Sequence, residues 1–165
     1  GEVTIRELFR NSLRMRADRV IVGEVRGAEA LDMLQAMCAG QNGSLAILHA
    51  SSPWHVIYRL ETMILTTFSN MTAEMIYRQI ASAVHLIVHQ EQMRDGSRRI
   101  THITQVRGME AGEILLDDIF AYDMQGVSPS GDVIGRWRAS GITPSFYPTM
   151  IRSGIALPQE IFQRD

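Results

Sequence analysis

The chain has 165 residues, 45% of them hydrophobic and 21% charged, and this balance predicts a globular fold with a substantial core. Its formal net charge of −2 disfavours a bulk nucleic-acid-binding role, which normally needs a clearly basic face. The lone cysteine, Cys38, is expected to be a small buried residue in a reducing compartment. No apolar run approaches the ~20 residues that span a bilayer. These features predict a cytoplasmic protein.

The N-terminal elements predict a strand–helix–strand unit. A capping box over Thr4–Glu7 predicts a first helix to about Met15. The runs RVIVG (19–23) and SLAIL (44–48) are short, apolar and typical of parallel strands buried on both faces. The segment 28–38 between them predicts a helix that makes a right-handed crossover. The inward residues are expected to be Ile5, Leu8, Phe9, Ser12 and Leu13 in the first helix, and Leu31, Leu34, Met37 and Cys38 in the second.

The rest of the chain predicts two helices and then a mostly antiparallel region. Ser51-Ser52-Pro53 is typical of a helix start, because a hydroxyl cap precedes a proline at the first helical position. An Asp95-Gly96 pair predicts a hairpin turn between two strands. The predicted elements are helices over 53–66 and 72–82, strands over 84–93, 98–106, 113–122 and 133–138, and a last helix over 147–153. We therefore divide the chain into an α/β part (1–90), a β-hairpin or meander (91–125) and a C-terminal extension (126–165).

Two polar residues follow the two predicted parallel strands directly: Glu24 after RVIVG and His49 after SLAIL. Ligands of open parallel sheets bind outside the carboxyl ends of the strands, and adjacent strands are only ~4.8 Å apart. A carboxylate there can orient and deprotonate water, while a histidine can stabilise developing phosphate charge. Asp18 is expected at the opposite end of the first strand. His85 and His89 would lie ~13 Å apart along one strand, too far to share a metal ion, so no metal site is predicted.

Several segments resemble motifs of one ATPase family. Residues 13–27 (LRMRADRVIVGEVRG) resemble the Walker B region of type II/type IV secretion ATPases, and residues 43–50 (GSLAILHA) resemble their His box. The nearest branch is the CpaF/TadA-like ATPases of Flp (Tad) pilus assembly. The resemblance continues through 59–63 (RLETM), 79–83 (QIASA), 94–99 (RDGSRR) and 108–110 (GME), and it covers roughly residues 2–123.

The resemblance implies the C-terminal half of a RecA-like P-loop ATPase core, followed by an antiparallel β-meander. It implies an ATP- and Mg²⁺-dependent motor that forms a homohexameric ring and powers pilus assembly, retraction or protein secretion beside inner-membrane platform proteins. By the same resemblance Glu24 would activate water and His49 would lie near the γ-phosphate. Arg26 would couple the site to its neighbours, and the other nucleotide-binding candidates are Gly23 and Arg59. The nucleotide-proximal loop would be 38–42.

Every one of the 16 basic residues is arginine, so the sequence lacks the lysine of a G-x-x-x-x-G-K-S/T phosphate-binding loop. We interpret the chain as a fragment whose Walker A loop would lie upstream of Gly1, and we expect it to be inactive alone. One alternative is a RecA-like motor for DNA conjugation or packaging, which should have a basic channel face. Another is a non-catalytic interaction fragment. A series of arginines near the N-terminus favours a solvated helix face or a ring interface: Arg6, Arg10, Arg14, Arg16 and Arg19.

Overall fold

A computed structural model describes residues 1, 3–40 and 43–164, which fall into two compact units. Unit 1 comprises Gly1–His85 and Gly108–Ile114, and unit 2 comprises Leu86–Arg107 and Leu115–Asp165. The predicted loop 38–42 includes Gln41 and Asn42, which lie outside the described residues. The three-part division made from the sequence stays a prediction.

Unit 1 contains four helices and a two-stranded parallel sheet within its described residues. The elements in chain order are α1 (Ile5–Arg14), β1 (Ile21–Val22), α2 (Glu29–Cys38), β2 (Leu45–Ala46), α3 (Pro53–Thr67) and α4 (Ala73–Ala83). β1 and β2 pair in parallel, with Ile21 opposite Leu45 and Val22 opposite Ala46. The predicted strand–helix–strand unit with parallel strands is therefore confirmed.

Hydroxyl caps start three of these helices, and the sequence predicts two of them, those of α1 and α3. The Thr4 side chain accepts a hydrogen bond from the Glu7 amide at 3.2 Å, and the Glu7 carboxylate accepts one from the Thr4 amide at 2.9 Å. Ser52 caps α3 through the amide of His55 at 3.2 Å, directly before the proline at the first helical position. Thr72 caps α4 in the same way. These bonds satisfy amides that a helix start would otherwise leave unpaired.

The core of unit 1 lies where α2 packs against α1, α3 and α4. Burial of aliphatic side chains drives this packing, at roughly 25 cal/mol for each Å² removed from water. The leucines and isoleucines of these helices with almost no exposed surface are Leu34, Leu60, Ile64, Ile76 and Ile80.

Burial differs from the sequence expectation at the parallel sheet. Ile21 is 73% exposed, and Leu45 and Ile47 are 60% and 58% exposed, so the expectation that both strands are buried on both faces is wrong. Among residues 19–25 and 44–48, only Val20 and Val25 are buried, and both lie outside β1 itself. A two-stranded sheet covers few of its own side chains, so an apolar run in such a sheet need not be buried.

The inward faces of α1 and α2 also differ from the prediction. In α1 only Phe9 is buried, whereas Ile5 and Leu8 are more than half exposed. In α2 the leucines are buried as expected, but Cys38 is exposed, so its predicted burial is wrong. The buried part of α2 is its N-terminal half, where the acids Glu29 and Asp32 are buried together with the leucines, whereas Cys38 lies at the exposed C-terminal end.

Unit 2 is built on an antiparallel sheet with strand order β3-β4-β5-β6. The strands are β3 (Leu86–Gln92), β4 (Arg98–Glu110), β5 (Glu113–Val127) and β6 (Val133–Ala139), followed by α5 (Tyr147–Arg152) and a 3-10 helix (Gln159–Phe162). The ends of β4 and β5 nearest their connecting turn belong to unit 1. The antiparallel region after the parallel sheet is as predicted, although β4 and β5 are longer than expected. His89 is buried on β3, whereas His85 is exposed.

Two local features fix strand geometry in unit 2. Asp95 of the β3–β4 turn accepts hydrogen bonds from the Ser97 hydroxyl at 2.6 Å and from the amides of Val133 at 2.8 Å and Ser97 at 2.9 Å, which lower its pKa to about 2. Gly135 of β6 lies against β5 so closely that an added Cβ would be 2.6 Å from the Asp123 carbonyl oxygen and 2.7 Å from the Tyr122 ring. Within the described part of the chain, no helix is both long and apolar enough to cross a membrane.

Candidate functional site

Backbone pairing beyond the two short strands brings the predicted site residues together. The Ile47 amide donates to the Val22 carbonyl at 3.2 Å, and the Val25 amide donates to the Ile47 carbonyl at 2.9 Å. This parallel pairing aligns the segment after β1 with the segment after β2, so Glu24 and His49 leave the sheet at one edge. Val25, which lies between Glu24 and Arg26, is 1% exposed and anchors this segment in the core.

The predicted neighbours Glu24 and His49 are in direct contact. His49 Nε2 lies 3.3 Å from Glu24 Oε1, and the Arg26 guanidinium donates to Glu24 Oε2 at 2.6 Å. The Glu24 side chain is 27% exposed, whereas those of Arg26 and His49 are 73% and 76% exposed. The carboxylate is therefore partly sheltered, with one cationic or imidazole group against each oxygen. Asp18 is exposed and lies before β1, at the opposite end from Glu24, as predicted.

The electrostatic environment keeps Glu24 ionised. The hydrogen bond from Arg26 lowers the pKa of Glu24, and the charges of Arg26, His49 and Arg59 lower it further. The same contact raises the pKa of Arg26. An ionised carboxylate with two oxygens has about four acceptor positions, so these contacts leave room for a water molecule. Glu24 can therefore serve chemically as a proton acceptor.

Arg59 lines an open cleft beside this pair. The cleft has a volume of about 520 Å³ and is lined by His49, Ala50, Ser51, His55 and Arg59. Four of the predicted site residues therefore lie together. Glu24 contacts Arg26 and His49 directly, and Arg59 lines the cleft together with His49 and acts on Glu24 through its charge. Gly23 precedes Glu24 and is exposed, and an added Cβ there would meet no atom within 4 Å. Its predicted contribution to nucleotide binding stays a prediction.

Glu29 is a structural part of the site that the sequence reasoning missed. Its side chain is buried, and Oε1 accepts hydrogen bonds from the amides of Arg26 at 2.6 Å and Gly27 at 3.1 Å. The carboxylate therefore holds the backbone that presents Arg26 to Glu24. The available signal was an acid in the first turn of a helix that follows a glycine-containing loop.

A second buried acid explains part of the arginine series. Asp32 accepts from Arg6 Nε at 2.5 Å and from Arg10 Nε at 3.1 Å, which joins α1 to α2. Arg6 also lies over the Phe68 ring, with its guanidinium carbon 5.1 Å from the ring centre. The Arg10 side chain is still 58% exposed and that of Arg6 33% exposed, so this arginine pair combines a buried partner with a partly solvated face. The alternative of a ring interface stays a prediction.

The donor set suits an anion better than a metal ion held by protein groups alone. Two imidazoles and an arginine line the cleft, and a further arginine contacts Glu24. In the described ranges, no group of three or more His, Cys, Asp or Glu residues is arranged to hold a metal ion. Mg²⁺ at nucleotide sites is commonly bound by one or two carboxylates together with substrate phosphates, and Glu24 is a carboxylate of suitable type for that arrangement.

Comparison with known proteins gives a consistent relationship. A putative conjugal transfer protein of Mycobacterium tuberculosis (strain CDC 1551 / Oshkosh) is 41% identical over 110 residues, which cover 67% of this chain and 31% of that protein. The type IV secretion system protein VirB11 of Brucella suis biovar 1 is 34% identical over 107 residues, covering 63% of this chain and 29% of its own length. The chain thus spans about a third of the length of these relatives.

The structural comparison agrees with the sequence comparison. A crystal structure of the VirB11 ATPase from the Brucella suis type IV secretion system, in complex with sulphate, has a TM-score of 0.58 and 32% sequence identity. The match covers 62% of this chain and 32% of that chain. The family model for type II/IV secretion system protein matches residues 1–119, which is most of the sequence. The chain therefore belongs to the type II/IV secretion system protein family.

Proposed function

We propose that this chain supplies the water-activating part of an ATPase site in a secretion or pilus motor. The observation that carries the proposal is the contact between Glu24 and His49 at the carboxyl ends of two parallel strands, 3.3 Å apart. Family membership and the VirB11 relatives support an ATP-driven secretion motor over an unrelated enzyme. The CpaF/TadA-like pilus branch is the finer part of the proposal and rests on the motifs in 13–27 and 43–50.

Glu24 is proposed to orient the attacking water and accept its proton. Arg26 holds Oε2 of this carboxylate, which leaves Oε1 on the His49 side for the water. His49 and Arg59 are proposed to stabilise the negative charge that develops on the terminal phosphate. ATP with Mg²⁺ would supply the phosphoryl group to be transferred to water.

The loop that holds the β- and γ-phosphates is proposed to come from sequence outside these 165 residues. Two facts support this: the chain contains no lysine, and it spans about a third of the length of its relatives. By the same reasoning the 165-residue chain alone should release phosphate more slowly than ~0.1 per second, at the low side of enzyme turnover. The proposal also includes assembly into a homo-oligomeric ring. The protein would be cytoplasmic, peripheral to the inner membrane, and associated there with platform proteins.

The test is Glu24→Gln in the full-length protein, measured by steady-state phosphate release. The amide preserves the shape of the side chain but removes the base, so turnover should fall by ~10²–10⁴-fold while nucleotide binding persists. Asp18→Asn is the matched control, because this exposed acid lies at the other end of β1. Retention of more than a third of the parental turnover by Glu24→Gln would show that another group activates the water.

A DNA-conjugation motor is the second candidate, because several relatives are named as conjugal transfer proteins. The net charge of −2 does not favour a chain that tracks DNA itself. Stimulation of phosphate release by DNA, with a steep dependence on salt, would favour this candidate over the secretion or pilus motor. Absence of any DNA effect is the expected result.

A further inference from the structure

A serine–histidine pair in the cleft has no part in the function proposed so far. The Ser51 hydroxyl is hydrogen-bonded to His55 Nδ1, one turn apart at the start of α3. This bond is not the helix cap, because Ser52 already caps α3 through the His55 amide. The two serines therefore hold His55 at two points: Ser52 fixes its backbone and Ser51 fixes its ring.

The ring bond determines which nitrogen can meet a ligand. When the Ser51 hydroxyl donates to Nδ1, the proton of the neutral imidazole is on Nε2, which then acts as a hydrogen-bond donor. Nε2 has no hydrogen-bond partner among the described residues, and His55 lines the cleft. Arg59 lines the same cleft four residues further along α3, so the two side chains lie on one face of the helix.

The described lining of the cleft contains a cation and no acid. Arg59 supplies the positive charge, and the nearest carboxylate on which it acts, Glu24, is already paired with Arg26. A planar guanidinium beside an N–H donor is suited to a tetrahedral oxyanion such as a phosphate group. A metal ion would instead require acceptors, and Arg59 offers only donors.

We propose that His55, oriented by Ser51, binds a phosphate group in this cleft together with Arg59, beside His49 and Glu24. The identity of that phosphate, as the terminal phosphate of ATP or the phosphate released from it, rests on the proposed function. Binding of inorganic phosphate to the cleft does not rest on it.

The first experiment is a titration of the 165-residue chain with inorganic phosphate, followed through ¹⁵N-labelled histidine rings by NMR. His55 should show an Nε2–H tautomer and a saturable shift, while His85, which is exposed and does not line the cleft, should not shift. His55→Ala should weaken phosphate binding roughly tenfold, since it removes a hydrogen bond to a charged group. Ser51→Ala should weaken it less, by about threefold, and shift the ring toward the Nδ1–H tautomer.

The matched control is His85→Ala, which should leave phosphate affinity unchanged. Phosphate affinity of His55→Ala within twofold of the parental chain, with an unchanged backbone spectrum, would overturn the proposal. So would a phosphate-induced shift of His85 as large as that of His55. Because both substituted histidines are exposed, loss of folding is not the expected consequence of either change.

A second experiment in the full-length protein distinguishes the two sources of phosphate. A shift of His55 with a non-hydrolysable ATP analogue but not with ADP supports contact with the terminal phosphate. A shift only with ADP plus inorganic phosphate supports contact with the released product. If Glu24→Gln abolishes turnover but His55→Ala binds phosphate normally, this inference fails and the proposed function stands. If Glu24→Gln keeps its turnover but His55→Ala loses phosphate binding, only the proposed function is overturned.

Discussion

The most informative perturbation of the site scaffold is the removal of the buried Glu29 carboxylate. Its Oε1 accepts two backbone N–H groups, from Arg26 at 2.6 Å and Gly27 at 3.1 Å. A hydrogen bond to a charged group contributes about 1.5–3 kcal/mol, and two sharing one oxygen contribute less than twice that. Arg26 is exposed and Gly27 is half-buried, so water can replace part of what is lost. Glu29→Ala should therefore destabilise the protein by about 1–3 kcal/mol.

Glu29→Gln should cost less, about 1 kcal/mol, because its amide oxygen can still accept one of the two bonds without a charge. The global change is measured by urea unfolding followed by far-ultraviolet circular dichroism. The local change is measured by hydrogen exchange at the Arg26 and Gly27 amides, which should lose protection in Glu29→Ala before the rest of α2 does. A structural role elsewhere in the helix would not single out these two amides.

Glu74→Ala is the matched control for the first-turn position. Glu74 is also an acid in the first turn of a helix, but it is exposed and pairs with Arg78 at 2.7 Å on the surface. Exposed pairs of this kind contribute less than ~1 kcal/mol. If Glu29→Ala costs no more than Glu74→Ala, or if the Arg26 and Gly27 amides keep their protection, Glu29 does not hold the backbone at Arg26 and Gly27.

Two further predictions concern unit 2. Gly135→Ala should destabilise the protein by roughly 1–3 kcal/mol in urea unfolding, because the added Cβ would crowd the Asp123 carbonyl oxygen. Gly126→Ala is the control and should be near neutral, since a Cβ added there meets no atom within 4 Å. Equal losses of stability in the two variants would contradict the crowding at Gly135. Asp95 has a folded pKa of about 2 against an ordinary value of 3.8, so its contribution to stability is complete above pH ~4 and is lost as the pH falls toward 2. Thermal unfolding of Asp95→Asn should show a smaller loss over that interval than the parental chain, and identical losses would contradict it.

The sequence by itself determined where the helices begin and how the two parallel strands pair. Capping at Thr4 and Ser52 was predicted because it is a local interaction between residues three apart, so the sequence contains both partners. The proximity of Glu24 and His49 also followed from sequence, since parallel strands joined by one crossover place their carboxyl ends at the same edge.

Burial and long-range hydrogen bonding were decided only by the tertiary structure. Periodicity predicts which side chains share a face, but whether that face is covered depends on the elements packed against it, and so Ile21 and Cys38 are exposed. The ion pairs at Asp32 are long-range, because Arg6 and Arg10 lie on another helix. The bonds of Glu29 to the Arg26 and Gly27 amides are local, but the burial of its carboxylate depends on the packing of α2. The ring orientation of His55 is of the same kind: Ser51 is near in sequence, but only the folded turn shows which imidazole nitrogen it engages and which one is left to face the cleft.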